Sequence, residues 1–145
     1  MARVVTLRLS AALVEAMRRQ SEEAYPAECC GVLAGTPGQI KEVSKLVPMT
    51  NRRTDDPHRY LISPDDLRTA EAELRSTGLE VLGCYHSHPD HPAAPSAFDT
   101  EQAWPWYSYI IVRVDRGRAA EMTSWVLDED RSAMRPESLD VLSEV

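Results

Sequence analysis

The stretch Glu80-Val81-Leu82-Gly83-Cys84-Tyr85-His86-Ser87-His88-Pro89 decides how this chain is read. Apolar residues fall on both of its faces, which predicts a central strand covered from both sides. Residues two apart on a strand share a face, so His86 and His88 project side by side and could hold one metal ion. Pro89 has no N–H for a further rung, so the strand ends there and leaves the histidines at a sheet rim open to substrate. Residues 89–95 are rich in proline and read as a loop, and Ser96-Ala97-Phe98-Asp99 then opens a short helix. Asp99, 11 residues beyond His88, can fold back and offer a carboxylate. Two nitrogens and one oxygen leave a tetrahedral zinc with an open position, the pattern of a catalytic site. Each part also has a plainer reading. The histidines could be polar residues at a strand end, and Ser-x-x-Asp is a helix-capping signature. Capping and ligation are compatible, because Ser96 can cap the helix while Asp99 faces the metal.

Outward from this stretch, Val4 to Leu9 alternates and reads as a strand, and Ser10 can cap a helix over Ala11 to Ala24 with Leu13, Val14 and Met17 on its apolar stripe. Cys29 to Ala34 reads as a buried strand and Ile40 to Val47 as its hairpin partner. Residues 49–59 are polar and read as a loop, followed by a short strand over Tyr60 to Ile62. Ser63-Pro64-Asp65-Asp66 starts a second helix, with Leu67, Ala70 and Leu74 facing inward and Gly78 at its end. Tyr107 to Val114 and Ala119 to Leu127 are further strands. The expectation is one domain over residues 1–128 with a loosely attached tail over 129–145. Its architecture is α/β (α+β), a mixed sheet flanked by helices.

His86-Ser87-His88-Pro89 followed by Ser96-x-x-Asp99 resembles the signature of the JAMM (MPN-plus) zinc metallopeptidases. That family also places a glutamate upstream, at the start of a strand after the first long helix. Pro26-Ala27-Glu28-Cys29-Cys30-Gly31-Val32 looks like that segment. The resemblance runs from the first strand to about Trp125. It implies a single MPN domain related in fold to the cytidine deaminases. The deaminase signature itself, H-x-E with P-C-x-x-C, is absent. The resemblance further implies zinc held by His86, His88 and Asp99, and Glu28 as the general base on a water whose pKa the metal lowers. Ser96 would donate to the oxyanion. Glu22 and Glu23 are rivals for the base, but they fall on the polar side of the first helix.

Other residues carry weaker signals. Cys84 shares the face of His86 and reads as a packing residue rather than a fourth ligand. Cys29 and Cys30 lie in an apolar run, where thiols are inert. Three cysteines without C-x-x-C form no zinc ribbon or disulfide framework. His91 reads as a loop residue within reach of substrate, His58 has no evident partner, and Trp104-Pro105-Trp106-Tyr107 reads as core or interface.

A net charge of −7 argues against nucleic-acid binding, which needs clustered cations. No apolar run approaches the roughly 20 residues of a membrane span, and Met1 to Thr6 lacks signal-peptide character, so cytoplasmic residence is expected. The chain looks most like compact bacterial JAMM members. Those are associated with small sulfur-carrier proteins of ubiquitin fold, from whose C-terminus they remove residues or an adduct such as cysteine. Two alternatives remain at this stage: a non-catalytic MPN scaffold, and a peptidase acting on another amide such as a cell-wall peptide. The carrier, the residue removed and the oligomeric state are left open.

Overall fold

The computed structural model describes residues 6–53 and 60–143. The elements are β1 (Thr6–Ser10), α1 (Ala11–Ala24), β2 (Cys30–Thr36), β3 (Ile40–Met49), α2 (Pro64–Ser76), β4 (Glu80–Pro89), α3 (Ala97–Gln102), β5 (Ser108–Asp115), β6 (Arg118–Leu127) and β7 (Met134–Leu142). The mixed sheet runs β1-β3-β2-β4-β5-β6-β7 and closes into a barrel. β1 pairs in parallel with both β3 and β7, and β4 pairs in parallel with β5.

Local chemistry accounts for the helix starts. Ser10 Oγ accepts from the Leu13 N–H at 3.2 Å and Ser63 Oγ from the Asp66 N–H at 3.1 Å, each satisfying an amide that a first turn leaves orphaned. β4 lies between β2 and β5 and is buried from Leu82 to Pro89. One side of the sheet packs Leu7, Leu9, Leu33, Tyr85, Ile110 and Val112 against Met17, Leu13 and Val14 of α1. On the other side Val32 and Ala34 meet Leu74 and Leu67 of α2. Arg116 and Gly117 both have positive φ, 51° and 87°, which suits the two-residue turn between β5 and β6.

Two expectations need correction. The stretch expected as a loose tail, 129–145, is not loose over its described residues, 129–143. Met134–Leu142 is a strand paired antiparallel with β6 and in parallel with β1, so it closes the sheet. Its pattern, with Pro136 in mid-strand and only partial burial, hides a strand whose stability comes from partners at both edges. Tyr60 to Ile62 makes no strand. The Leu61 amide is taken by Asn51 Oδ1 and its carbonyl by the Arg52 N–H.

Gly31 shows how tightly β2 and β4 meet. A Cβ there would lie 2.2 Å from the Tyr85 ring, which is fully buried and donates its hydroxyl to Gln20. Gly31→Ala is expected to destabilise the fold by about 1–3 kcal/mol through overpacking. Denaturant unfolding reads this directly, and an unchanged midpoint would show that Tyr85 yields freely.

Candidate functional site

His86 and His88 stand on the same face of β4 and are almost wholly buried. Asp99 enters from the first turn of α3. Its Oδ2 lies 3.3 Å from His86 Nε2 and 3.1 Å from His88 Nε2, and the two ring nitrogens are 3.1 Å apart. A tetrahedral zinc with bonds of roughly 2.0–2.1 Å needs donor atoms about 3.3 Å apart. The triangle of two imidazole nitrogens and one carboxylate oxygen therefore fits such an ion in both chemistry and spacing.

Asp99 serves the helix and this triangle together. Its amide donates to Ser96 Oγ at 3.0 Å, while its own Oδ2 accepts from the Ser96 N–H at 2.9 Å. That reciprocal capping box turns the carboxylate back toward β4. Burial disfavours a charge on Asp99, but the hydrogen bonds from His86 and His88 outweigh it and hold the carboxyl far below its usual range. Burial pulls His86 below the ordinary imidazole pKa, favouring the neutral ring a metal requires. His88 is also opposed by burial, yet its bonds to Asp99 and the Pro92 carbonyl raise it. His88 Nδ1 donates to Pro92 O at 2.9 Å, which orients the ring with Nε2 toward the triangle.

Glu28 is buried and reaches the same place from the segment that leads into β2, the neighbour of β4. A donor atom of Glu28 and one from each of His86 and His88 fall within 4.8 Å of one another. Two carboxylates thus compete for the third corner: Asp99 sits at tetrahedral-edge spacing from both rings, and Glu28 comes within 4.8 Å of both. Glu22 is excluded as a rival by its own contact, since its Oε2 accepts from the Ala119 N–H at 2.8 Å on β6. Glu23 is exposed.

A cleft of about 420 Å³ opens here, walled by Glu28, His88, His91, Ser96 and Phe98. The sequence puts both histidines at a sheet rim open to substrate, and the cleft wall takes one of them. His88 lines it, whereas Tyr60 stacks on the His86 ring with centroids 4.3 Å apart. Asp90, with φ 57°, turns the chain after β4 and is held by the Tyr25 hydroxyl and the Arg116 N–H at 2.6 Å and 2.8 Å. His58 lies outside the described residues.

Sequence reasoning missed Tyr60, Ser87 and Asn51. Cys29 N–H donates to Ser87 Oγ at 2.9 Å, and Asn51 Nδ2 donates to the Glu28 carbonyl at 3.1 Å. Ser87 sits within the legible His-Ser-His stretch. Asn51 falls in the polar stretch 49–59 and Tyr60 in the Tyr60 to Ile62 stretch read as a strand, and neither carries a signal of its own. Trp104 and Trp106 are 53% and 66% exposed, so they are not core.

The thiols are buried. Burial pushes Cys30 and Cys84 up to about 12, and it raises Cys29 as well. Cys84 packs with Ala103, Tyr109 and Leu127. Native protein at mildly alkaline pH is therefore expected to resist iodoacetamide, with all three cysteines labelling only in denaturant. Rapid alkylation of one thiol in the folded protein, read by mass spectrometry, would restore a thiol nucleophile as a candidate.

Comparison with known proteins gives the family. A family model described as prokaryotic homologs of the JAB domain matches residues 10–128. A protein named desampylase from Haloferax volcanii is 36% identical over 107 residues, covering 73% of this chain and 75% of that one. A protein named CysO-cysteine peptidase from Mycobacterium tuberculosis is 32% identical over 123 residues, covering 84% and 83%. A solution structure from Desulfitobacterium hafniense aligns with a TM-score of 0.82 at 29% identity, covering 96% and 94%. The matched span contains Glu28, both histidines and Asp99, and the chain belongs to the prokaryotic JAB-domain family of the JAMM/MPN type.

Proposed function

We propose that this protein is a zinc-dependent peptidase or isopeptidase that hydrolyses an amide at the C-terminus of a ubiquitin-fold sulfur-carrier protein. The carrying observation is the donor triangle of His86, His88 and Asp99 beside a buried Glu28, with His88 and Glu28 in the wall of one open cleft. The names of the relatives, desampylase and CysO-cysteine peptidase, supply the substrate class.

His86, His88 and Asp99 would hold the zinc ion, which would supply polarisation of the scissile carbonyl and a lowered pKa for water. The protein's own groups do the rest. The Glu28 carboxylate takes a proton from the attacking water and later hands it to the departing amine nitrogen, so acid and amine leave as products. Ser96 accepts the Asp99 N–H through a lone pair, and its hydroxyl proton remains to be donated to the carbonyl oxygen as charge develops there.

The test is a mass-spectrometric assay. Zinc-loaded protein is incubated with small ubiquitin-fold carriers from the same genome, each bearing a C-terminal cysteine or a lysine-linked peptide. Loss of the adduct from one of them is expected. If every carrier stays intact while zinc is bound, the substrate assignment is wrong. Chelation is expected to stop turnover while far-UV circular dichroism barely changes, because a 145-residue chain buries a core without metal. Global unfolding on chelation would contradict this.

A further inference from the structure

We infer that Asn51 is a positioning residue for Glu28, clamping the Glu28–Cys29 peptide from the side opposite Ser87. This rests on the reading of Glu28 as the proton-transfer group. Glu28 precedes β2, and the pairing with β4 reaches as far as the Cys29 carbonyl, which accepts from the Ser87 N–H at 3.2 Å. Both polar groups of the Glu28–Cys29 peptide are instead held by side chains: its carbonyl accepts from Asn51 Nδ2 at 3.1 Å, and its N–H donates to Ser87 Oγ at 2.9 Å. A peptide plane fixed at both ends cannot rotate, and that sets the direction in which Glu28 leaves the backbone.

Asn51 is itself locked. Its Oδ1 accepts from the Arg53 N–H at 2.9 Å and the Leu61 N–H at 3.0 Å. These partners fix the amide orientation, since a flipped amide would set donor against donor and acceptor against acceptor. Leu61 adjoins Tyr60, which stacks on His86. One side chain thus ties the Glu28 backbone to Leu61, the neighbour of the Tyr60 ring that stacks on His86. Arg52, bonded to Asp66 at 2.9 Å and 3.2 Å, sits next to Asn51 with its side chain engaged elsewhere and serves as a control.

The experiment uses the zinc-loaded enzyme and a ubiquitin-fold carrier amide-linked to a fluorogenic aminocoumarin. Asn51→Ala and Asn51→Asp are each expected to lose about ten- to a hundredfold in kcat, the scale of a misplacement near 1 Å. KM and zinc content should stay close to the parent, and Arg52→Ala should turn over normally. The deciding readout is the double variant. If Asn51 acts through Glu28, adding Asn51→Ala to Glu28→Gln costs no further kcat, whereas a loop-stabilising role subtracts the same factor from both backgrounds. Hydrogen exchange on metal-free protein gives a second readout. The Arg53 and Leu61 amides should lose protection in Asn51→Ala and keep it in Asn51→Asp, which retains the acceptor.

Parental kcat in Asn51→Ala, additive losses in the double variant, or unchanged exchange in Asn51→Ala overturns the clamp. Parental kcat in Glu28→Gln overturns the Glu28 reading itself, and the two failures are therefore distinct.

Discussion

His88→Ala is expected to lose stoichiometric zinc and at least about a thousandfold in turnover. The proposed site has three protein donors, and His88 is held in place by bonds to Asp99 and the Pro92 carbonyl. Removing it leaves one imidazole and one carboxylate, too few for the closed side of a catalytic zinc site. Without the metal, water keeps a pKa near 15.7 and the carbonyl is not polarised, so little of the rate survives. The fold should persist, because the apolar core around Leu7, Leu33, Tyr85 and Ile110 is left intact. Cys84→Ala and His91→Ala serve as controls. Cys84 packs in a separate apolar cluster, and His91 stands exposed at the cleft wall. Both should retain one zinc per chain, measured by elemental analysis after dialysis. A His88→Ala protein that binds zinc as tightly as the parent would remove the histidine from the site.

Glu28→Gln is expected to bind zinc and carrier almost normally and to lose at least about a hundredfold in kcat. Gln preserves the shape and the backbone bonds through Asn51 and Ser87, and it removes only the proton acceptor. General acid–base help is typically worth about 10² to 10⁴ in rate. Glu22→Gln and Glu23→Gln should behave like the parent, since one is engaged with β6 and the other faces solvent. If Glu28→Gln turns over normally and one of the others is dead, the base is misassigned. If all three are active, no glutamate of this set handles the proton.

What could be read before the fold was known followed short-range rules. The i, i+2 spacing of His86 and His88 works because a strand repeats every two residues. Ser10 and Ser63 declare their helices because capping is a contact over three residues. The double duty of Asp99 was legible for the same reason. Glu28 is different: it lies 58 residues before His86, and only the resemblance to a family motif singled it out. Register explains why it arrives, since Cys30 pairs with His86 across β2 and β4. β7 escaped notice because Pro136 and a weak apolar pattern conceal a strand that exists through partners at both edges. Tyr60 and Asn51 escaped because their roles are tertiary. One covers a ring 26 positions away, and the other bonds a carbonyl 23 positions back.

The central claim is that His86, His88 and Asp99 together hold one metal ion beside Glu28. Anomalous diffraction from zinc-loaded crystals, collected on both sides of the zinc absorption edge, tests it most directly. The expected result is a single strong peak about 2.0–2.2 Å from His86 Nε2, His88 Nε2 and a carboxylate oxygen of Asp99, with Glu28 outside bonding distance. A peak bonded to Glu28 in place of Asp99, or no peak at these histidines in a zinc-saturated crystal, would contradict the account.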